Sequence, residues 1–353
     1  MKAVVLCAGF GTRMRPLTYT GAKHLLPVAN KPIIEYALEA LAAAGIKDIG
    51  LVVGGPTRDQ IMEAVEDGSR FGVRTTYIAQ ESPRGLAHAV SMCREFVGNS
   101  RFVVYLGDNI IHGGITEFVR AFDETRSAQI LVAQVEDPRP FGVADTRDGR
   151  VVRLIEKPKT KEINRAIVGV YAFTPEIFDA ADRIQPSARG ELEITDALQR
   201  LVEDGKLVTA IEVSSWWADT GRPEDVLEVN RRLLHDLKPH IECVIGEDWD
   251  AVGPISIGAG TKIHGSKIRG PVIIGRDCEI EGCYIGPYTS ISDGCVLRDT
   301  EIEFSILLPG VQISDMPLRI DSSLIGARSR LDRSETPART LRFLMGSDSE
   351  IRL

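Results

Sequence analysis

The sequence has no basic tract, and its formal net charge is -8. A nucleic-acid polymer requires a positively charged face, so this charge balance argues against nucleic acid as a partner. The chain also lacks an apolar run long enough to cross a bilayer. The short apolar stretch after Met1 leads directly into a glycine-rich segment with Arg13, and we interpret it as a buried strand rather than a signal peptide. We therefore predict a cytoplasmic protein that acts on small molecules, with no nucleic-acid or membrane partner.

Metal-binding cysteine pairs are also missing, although the chain contains six cysteines. No CxxC pair is followed by a second such pair, which makes a zinc site improbable. Reduced thiols buried as small core residues are the simpler interpretation.

The first two-thirds of the sequence alternates short β-branched runs with helical patterns. This alternation predicts an α/β domain with a Rossmann-like, mostly parallel sheet, in which ligands bind beyond the carboxyl ends of strands. Asn30 is predicted to cap a helix that begins near Pro32, and a helical stretch is predicted around residues 85–96. Asp148-Gly149 predicts the turn of a β-hairpin.

After about residue 238 the pattern changes to a hexapeptide repeat. An aliphatic residue recurs six positions on in the segments that begin at Ile257, Ile274 and Ile285. This period predicts a left-handed parallel β-helix, with an antiparallel β domain as the alternative. We predict domains at residues 1–238 and 239–353. The apolar pieces within Thr340–Leu353 are expected to pair as short strands with the β-helix or with a second subunit.

Gly9-Phe10-Gly11-Thr12-Arg13 follows the first predicted strand directly. Glycines let backbone N–H groups approach phosphate oxygens, and the planar guanidinium of Arg13 matches a polyphosphate. The spacing lets Lys23 fold back over this loop. The segment taken alone is equally compatible with a plain turn between a strand and a helix.

A carboxylate follows the predicted strand at Phe102–Leu106. Asp108 would be exposed at the edge of the sheet, where it suits Mg²⁺, a cation that prefers oxygen ligands. The alternative is that Asp108 only caps the following turn.

The pattern G-x-G-T-R-x(9)-K-x-L-L-P-V-x-x-K-P, which spans Gly9 to Pro32, resembles the signature of the sugar-1-phosphate nucleotidylyltransferases. Within that superfamily the chain is similar to the glucose-1-phosphate thymidylyltransferases of the long type, which carry a β-helix tail. Six further segments resemble family motifs: residues 80–89, 106–109, 141–143, 156–158 with 168–171, 189–196 and 217–221. Phe141 stands where the family has Tyr, so a contact through a phenol hydroxyl is lost.

The resemblance implies the site residues. Nucleotide binding is implied for Ala8, Gly9, Gly11, Thr12, Gln80 and Gly85. Sugar-phosphate binding is implied for Gly142, Glu156, Lys157, Val168, Tyr171, Arg189 and Trp217. Catalytic roles are implied for Arg13, Lys23, Lys157 and Asp108, and Mg²⁺ ligation for Asp108 and Asp219.

The implied reaction joins dTTP and α-D-glucose 1-phosphate to give dTDP-glucose and pyrophosphate, with UTP as the rival nucleotide. The sugar phosphate is already anionic, so the site needs positioning and charge stabilisation rather than a general base.

Three functions are open for the second domain and the whole chain. We expect the β-helix to act in homo-oligomerisation, because repeat stacks present flat edges to neighbours. An acetyltransferase activity with His264 as the base is the alternative for this domain. A catalytically inactive regulatory chain is a third possibility, against which stands the joint presence of Arg13, Lys23, Asp108, Lys157 and Asp219.

Overall fold

The computed structural model describes residues 1–242 and 248–333. The strands predicted within Thr340–Leu353 lie outside these residues, as does Cys243. The chain forms two compact units. The first unit contains Met1–Phe10 and Ile33–Asp219, and the second joins Gly11–Pro32 to the described residues from Thr220 onward. The division at residue 238 stays a prediction.

A nine-stranded sheet forms the centre of the first unit. In spatial order its strands are Arg74–Ala79, Asp48–Val53, Lys2–Leu6, Phe102–Leu106, Arg165–Phe173, Ala128–Gln134, Val208–Glu212, Arg150–Glu156 and Gly142–Arg147. The first four are parallel neighbours, as predicted, and the rest of the sheet is mixed. Three of the parallel strands, Lys2–Leu6, Asp48–Val53 and Phe102–Leu106, are largely buried, whereas Arg74–Ala79 at the edge of the sheet is more exposed.

The α-helices belong to the first unit, except for the last of them, which belongs to the second. Their bounds are Ile33–Ala43, Arg58–Val65, Leu86–Ser91, Arg94–Val97, Thr116–Ala121, Glu176–Ala181, Ile194–Glu203 and Pro223–His235. In the described part of the chain, no helix combines the length and the apolar character that crossing a membrane requires.

The helical stretch predicted around residues 85–96 consists of two helices, Leu86–Ser91 and Arg94–Val97. The prediction that Asn30 caps a helix was wrong. Asn30 does not cap the Ile33–Ala43 helix, because its backbone is left-handed, with φ 58°, and its amide Nδ2 donates to the carbonyl oxygen of Ile291 at 2.7 Å. An N-cap residue needs extended backbone and a side-chain oxygen directed at the helix.

The predicted hairpin is confirmed. Strands Gly142–Arg147 and Arg150–Glu156 pair antiparallel. Asp148 and Gly149 have φ of 50° and 75°, the positive values that a tight two-residue hairpin turn requires. The hairpin brings its two outer ends, Gly142 and Glu156, into register.

The second unit contains three parallel sheets, as expected of a β-helix. The first consists of His240–Ile241, Ile255–Ile257, Val272–Ile274, Thr289–Ile291, Ile306–Leu307 and Leu324–Ile325. The second consists of Asp250–Val252, Lys267–Arg269, Tyr284–Ile285, Glu301–Glu303 and Ile320–Asp321. The third consists of Lys262–His264, Glu279–Glu281, Val296–Arg298, Gln312–Ser314 and Arg330–Asp332. Parallel pairing throughout these sheets excludes the antiparallel alternative for the residues described.

The repeated aliphatic residues form the core of this stack. Ile257, Ile274 and Ile285 are almost completely buried, and so are the residues six positions after each of them. The five cysteines within the described ranges are buried free thiols. Two shorter ribbons complete the fold: Asn109–Ile111 with Trp217–Asp219, and Pro27–Val28 with Lys31–Pro32.

Candidate active site

The two predicted metal carboxylates lie on neighbouring segments of the first unit. Asp108 follows the Phe102–Leu106 strand, and Asp219 pairs with Asn109, the next residue along. The amide Nδ2 of Asn109 donates to Oδ1 of Asp108 at 2.9 Å. The indole Nε1 of Trp217 donates to Oδ1 of Asn109 at 2.5 Å. This chain of hydrogen bonds fixes the orientation of the Asp108 carboxylate.

The donor set at this position fits Mg²⁺. Mg²⁺ is typically held by one or two carboxylates, with substrate phosphates and water completing the coordination. Asp108 and Asp219 supply such a pair of carboxylates. Across the residues the structure describes, no group of three or more His, Cys, Asp or Glu side chains is arranged to hold a metal. Asp108 and Asp219 therefore stay the candidate metal ligands.

Most of the predicted sugar-phosphate residues line one cavity of about 220 Å³ in the first unit. Its lining includes Leu86, Leu106, Pro140, Phe141, Gly142, Glu156, Lys157, Ile167, Tyr171, Arg189, Glu191, Glu193, Ile194 and Thr195. Val168 is fully buried and does not line it. Trp217 contacts the cavity wall through Phe141, with ring centroids 5.3 Å apart in an edge-on arrangement.

Glu156, on the lining of this cavity, is held by two side chains. Its Oε2 accepts from the Thr195 hydroxyl at 3.1 Å, and its Oε1 accepts from Arg189 at 3.1 Å. A Cβ at position 142 would lie 2.6 Å from Cγ2 of Thr195 and 3.0 Å from Oε2 of Glu156, so glycine at this position leaves room for both side chains. Burial raises the pKa of the Glu156 carboxyl, and the negative charge of Glu193 raises it further. A partly desolvated carboxylate of this kind is well suited to accept hydrogen bonds from sugar hydroxyls.

Arg189 is already engaged by carboxylates. Its guanidinium lies 2.9 Å from Glu193, 3.1 Å from Glu156 and 3.6 Å from Glu191. All three distances run to NH2 of Arg189, and the side chain is 39% exposed, so these contacts involve only one nitrogen of the guanidinium. The guanidinium also neutralises part of the negative charge next to Glu156.

Lys157 has an unusual backbone conformation. Its φ is 44°, in the left-handed region that residues other than glycine rarely adopt. Its backbone N–H donates to the carbonyl oxygen of Phe141 at 3.0 Å, which closes the open end of the hairpin. Strained residues that the surrounding structure holds in place are concentrated at binding sites, and this outlier lies on the lining of the cavity.

Residues 80–89, which resemble the family's base-recognition segment, contain a glycine that no other residue can replace without a clash. Gly85 has φ 102°, and a Cβ there would lie 2.4 Å from the carbonyl oxygen of Leu192. Backbone hydrogen bonds join Leu192 to Arg84 and to Ala87 on either side of this glycine. Gln80 is 4% exposed, and its side-chain amide contacts His88. A larger residue at position 85 would therefore clash with the backbone of Leu192.

The predicted nucleotide-binding and catalytic residues between Ala8 and Lys23 belong partly to the first unit and partly to the second. Ala8 and Gly9 follow the first strand in the first unit, whereas Gly11, Thr12, Arg13 and Lys23 belong to the second. A Cβ on Gly11, whose φ is 61°, would lie 3.0 Å from Thr18 and 3.3 Å from Lys23. Within the second unit the guanidinium of Arg13 packs closely on Gly221, where a Cβ would lie 2.8 Å from it. The glycine after Asp219-Thr220 thus makes room for Arg13.

Sequence reasoning missed several residues of these sites. Thr195 and Glu193 hold Glu156 and Arg189, and both lie within the R-G-E-L-E-I-T-D run that was considered only for its arginine. Asn109 directly follows Asp108 in the sequence. The sequence does not show that the Asn109 amide forms hydrogen bonds with both Asp108 and Trp217. His264, the candidate acetyltransferase base, is exposed and lies 3.4 Å from Asp248.

We compared the sequence with models of protein families, and the result agrees with the order of the motifs and with the sites described above. A family model described as nucleotidyl transferase matches residues 2–236. The chain therefore belongs to the nucleotidyl transferase family.

Individual relatives narrow this class. A glucose-1-phosphate thymidylyltransferase from Streptomyces antibioticus is 47% identical over 100% of this chain and 99% of its own length. A protein of the same name from Streptomyces griseus is 44% identical with the same coverage. A solved Bacillus anthracis structure, provisionally named a glucose-1-phosphate thymidylyltransferase and bound to sucrose, has a TM-score of 0.63 and 36% identity. That likeness covers 68% of this chain and 97% of the other.

Proposed function

We propose that the protein is a glucose-1-phosphate thymidylyltransferase, which joins dTTP and α-D-glucose 1-phosphate to form dTDP-glucose and pyrophosphate. Full-length relatives at 44–47% identity carry this name. The structural observation that supports it best is that Gly142, Glu156, Lys157, Tyr171 and Arg189 line one cavity. These residues come from separate segments of one region of the sequence, and a cavity with both carboxylates and cations suits a phosphorylated sugar.

The acidic and the basic residues of the site have different roles in this reaction. Glu156, held by Thr195, accepts hydrogen bonds from sugar hydroxyls, and Lys157 binds the sugar phosphate. Arg13 and Lys23 stabilise the triphosphate and the departing pyrophosphate. Gln80 and Gly85 bind the nucleobase of the nucleotide. Because the sugar phosphate is itself the nucleophile, the residues act by bringing two anions into line and offsetting their charge.

Asp108 and Asp219 would hold Mg²⁺. The bound ion would supply charge neutralisation at the phosphates. Asn109 contributes by keeping the Asp108 carboxylate in one orientation, since its amide bridges that carboxylate and Trp217.

A substrate matrix tests this proposal. Purified protein is given dTTP, UTP, dCTP or ATP with glucose 1-phosphate or galactose 1-phosphate, with and without Mg²⁺, and pyrophosphate release is measured. We expect the fastest release from dTTP with glucose 1-phosphate and a requirement for Mg²⁺. A preference for UTP would reassign the enzyme as a uridylyltransferase, and the absence of release from every pair would reject the activity.

Two matched pairs of variants test the cation roles. Lys157→Ala should raise the KM for glucose 1-phosphate at least about tenfold, whereas the exposed neighbour Lys159→Ala should not. Arg13→Ala should lower turnover by about 10²–10³, by analogy with the loss of one preorganised charge donor. Arg15→Ala is its control, since Arg15 lies over the ring of Tyr19. Equal effects within either pair would remove the assigned role.

We further propose that the β-helix mediates homo-oligomerisation and that the enzyme is cytoplasmic. Light scattering of the full chain, compared with a chain that ends at residue 238, measures the first point. A monomeric full chain would reject it.

A further inference from the structure

His88 contacts a side chain through each of its ring nitrogens. Nε2 of His88 lies 2.8 Å from NH2 of Arg84, and Nδ1 lies 2.9 Å from the side-chain amide of Gln80, with Nε2 of that amide placed nearest. All three residues belong to the segment that reads the base in the proposed function. Gln80 is almost completely buried, so the orientation of its amide matters.

The chemistry of these contacts determines which atoms carry hydrogen. Arginine is always charged and can only donate, so Nε2 of His88 must accept from Arg84. A neutral imidazole that accepts at Nε2 carries its hydrogen on Nδ1. Nδ1–H then has to donate to Gln80, which requires the amide oxygen, not the NH₂ group, to face it. The two ends of an amide have the same shape, and only the hydrogen-bond network assigns them.

Burial and the positive charge of Arg84 both lower the pKa of His88 below its usual value. The imidazole is therefore neutral at pH 7, as the assignment requires. A protonated ring would present donors on both sides and could not accept from the guanidinium.

We infer that Arg84 and His88 form a relay that sets the amide of Gln80 with its oxygen toward His88 and its NH₂ group toward the nucleobase. This inference rests on the proposed function and specifies its nucleobase class. An NH₂ donor pairs with the 4-keto oxygen of thymine or uracil. It meets the 4-amino group of cytosine as a second donor, and the pair is rejected because neither group is satisfied. Arg84 and His88 are thus positioning residues for specificity.

The tautomer of His88 can be measured without any activity. Uniformly ¹⁵N-histidine-labelled protein gives separate ring-nitrogen shifts for the Nδ1–H and Nε2–H forms, and His88→Asn identifies the His88 signals. We expect the Nδ1–H form at pH 7 in the wild type. In Arg84→Met, which keeps an unbranched side chain but removes the donor, a mixture or the Nε2–H form should appear. The Nε2–H form in the wild type would overturn the inference.

The consequence for specificity is measured as kcat/KM for dTTP and for dCTP. We expect Arg84→Met to raise the dCTP-to-dTTP ratio by roughly tenfold, the effect of one released donor–donor conflict. Arg84→Lys keeps a charged donor and should stay near the wild-type ratio. Arg120→Met, at an exposed ion pair with Glu117, is the matched control and should not change it.

The outcomes separate this inference from the proposed function. If Arg84→Met lowers kcat/KM for both nucleotides equally, or leaves the ratio unchanged, the relay does not set specificity. If wild-type protein releases no pyrophosphate from dTTP and glucose 1-phosphate, the proposed function fails, whereas the tautomer measurement still tests the relay.

Discussion

The two units of this protein are built from the same kinds of apolar residues but use them differently. In the β-helix, Ile263, Ile280, Leu297 and Ile313 stand in register on successive coils, so each coil repeats the contact of the one before. In the α/β unit, neighbouring strands come from distant parts of the chain, such as Phe102–Leu106 beside Arg165–Phe173. Repetition produces a regular stack, whereas the mixed sheet brings unlike side chains to one cavity.

The cavity around Glu156 shows what this difference allows. Arg189 and Thr195, both far from Glu156 in the sequence, contact its two carboxylate oxygens. Such unlike partners can meet only where the chain returns to the same place from different segments. We therefore expect changes in the α/β unit to alter chemistry and changes in the β-helix to alter stability.

The largest expected effect is the loss of turnover in Asp108→Asn. The amide keeps the shape but removes the charge that suits Mg²⁺, and turnover should fall by about 10²–10³. Asp315→Asn in the β-helix is the matched change, at a residue whose φ of 54° asparagine accepts readily. Pyrophosphate release and thermal unfolding are measured for both. Near-normal turnover in Asp108→Asn would remove the metal assignment.

Substitutions in the core of the β-helix should lower the free energy of unfolding. Ile280 is 1% exposed, and Ile280→Ala should lower the free energy of unfolding by about 2–5 kcal/mol because it leaves a cavity in the stack. Ile280→Val removes one methylene and should cost only about 0.5–1.5 kcal/mol. Urea unfolding measures both. An alanine variant as stable as the valine variant would mean that the stack collapses around the gap.

Asn230 is an exception to this division between chemistry and stability. Within the second unit, it joins Ala29, which lies in the segment that matches the family signature, to Ser290 of the β-helix. Its Oδ1 accepts from the backbone N–H of Ala29 at 2.8 Å and from the Ser290 hydroxyl at 2.7 Å. Its Nδ2 donates to the carbonyl oxygen of Tyr288 at 3.1 Å. The side chain is 1% exposed.

Asn230→Ala leaves these buried groups without their partner and should cost about 2–3 kcal/mol of folding free energy. Because the loop that it holds carries Lys23, the KM for dTTP should also rise. Ser290→Ala removes one of the hydrogen bonds and should have a smaller effect on both quantities. Unchanged stability and KM in Asn230→Ala would show that the loop does not depend on this anchor.

The smallest expected effect is the pH dependence that Glu156 causes. Its folded pKa is raised, mainly by burial. The group therefore stabilises the fold below its unfolded pKa, and this contribution is lost as the pH rises through the folded pKa. For binding, protonation removes an acceptor for sugar hydroxyls. The KM for glucose 1-phosphate should thus rise as the pH falls through the raised pKa.

Glu156→Gln is the control for this pH dependence, because glutamine does not titrate. Its KM should be higher at neutral pH and should show only the titration of the sugar phosphate itself. Parallel pH profiles for the two proteins would contradict the assignment of Glu156 to the sugar.

Local patterns in the sequence predicted much of this fold, and the failures have identifiable causes. The hexapeptide period placed the buried residues of the β-helix because each strand meets a copy of itself. Asn30 was misread as a cap because an asparagine before a helix usually has that role, whereas here Ile291 of the β-helix accepts from its amide. That partner lies far along the chain, where no local pattern can detect it.

The sequence by itself determined the two architectures and the identity of the charged residues, because periodicity and short motifs are local properties. Only the tertiary structure decided which of those residues share a cavity and how each is held: Glu156 by Thr195, Asp108 by Asn109, and Gln80 by His88. The physical reason is that a hydrogen bond depends on the direction and distance between two groups. Those quantities exist only after chain folding has brought separate segments together.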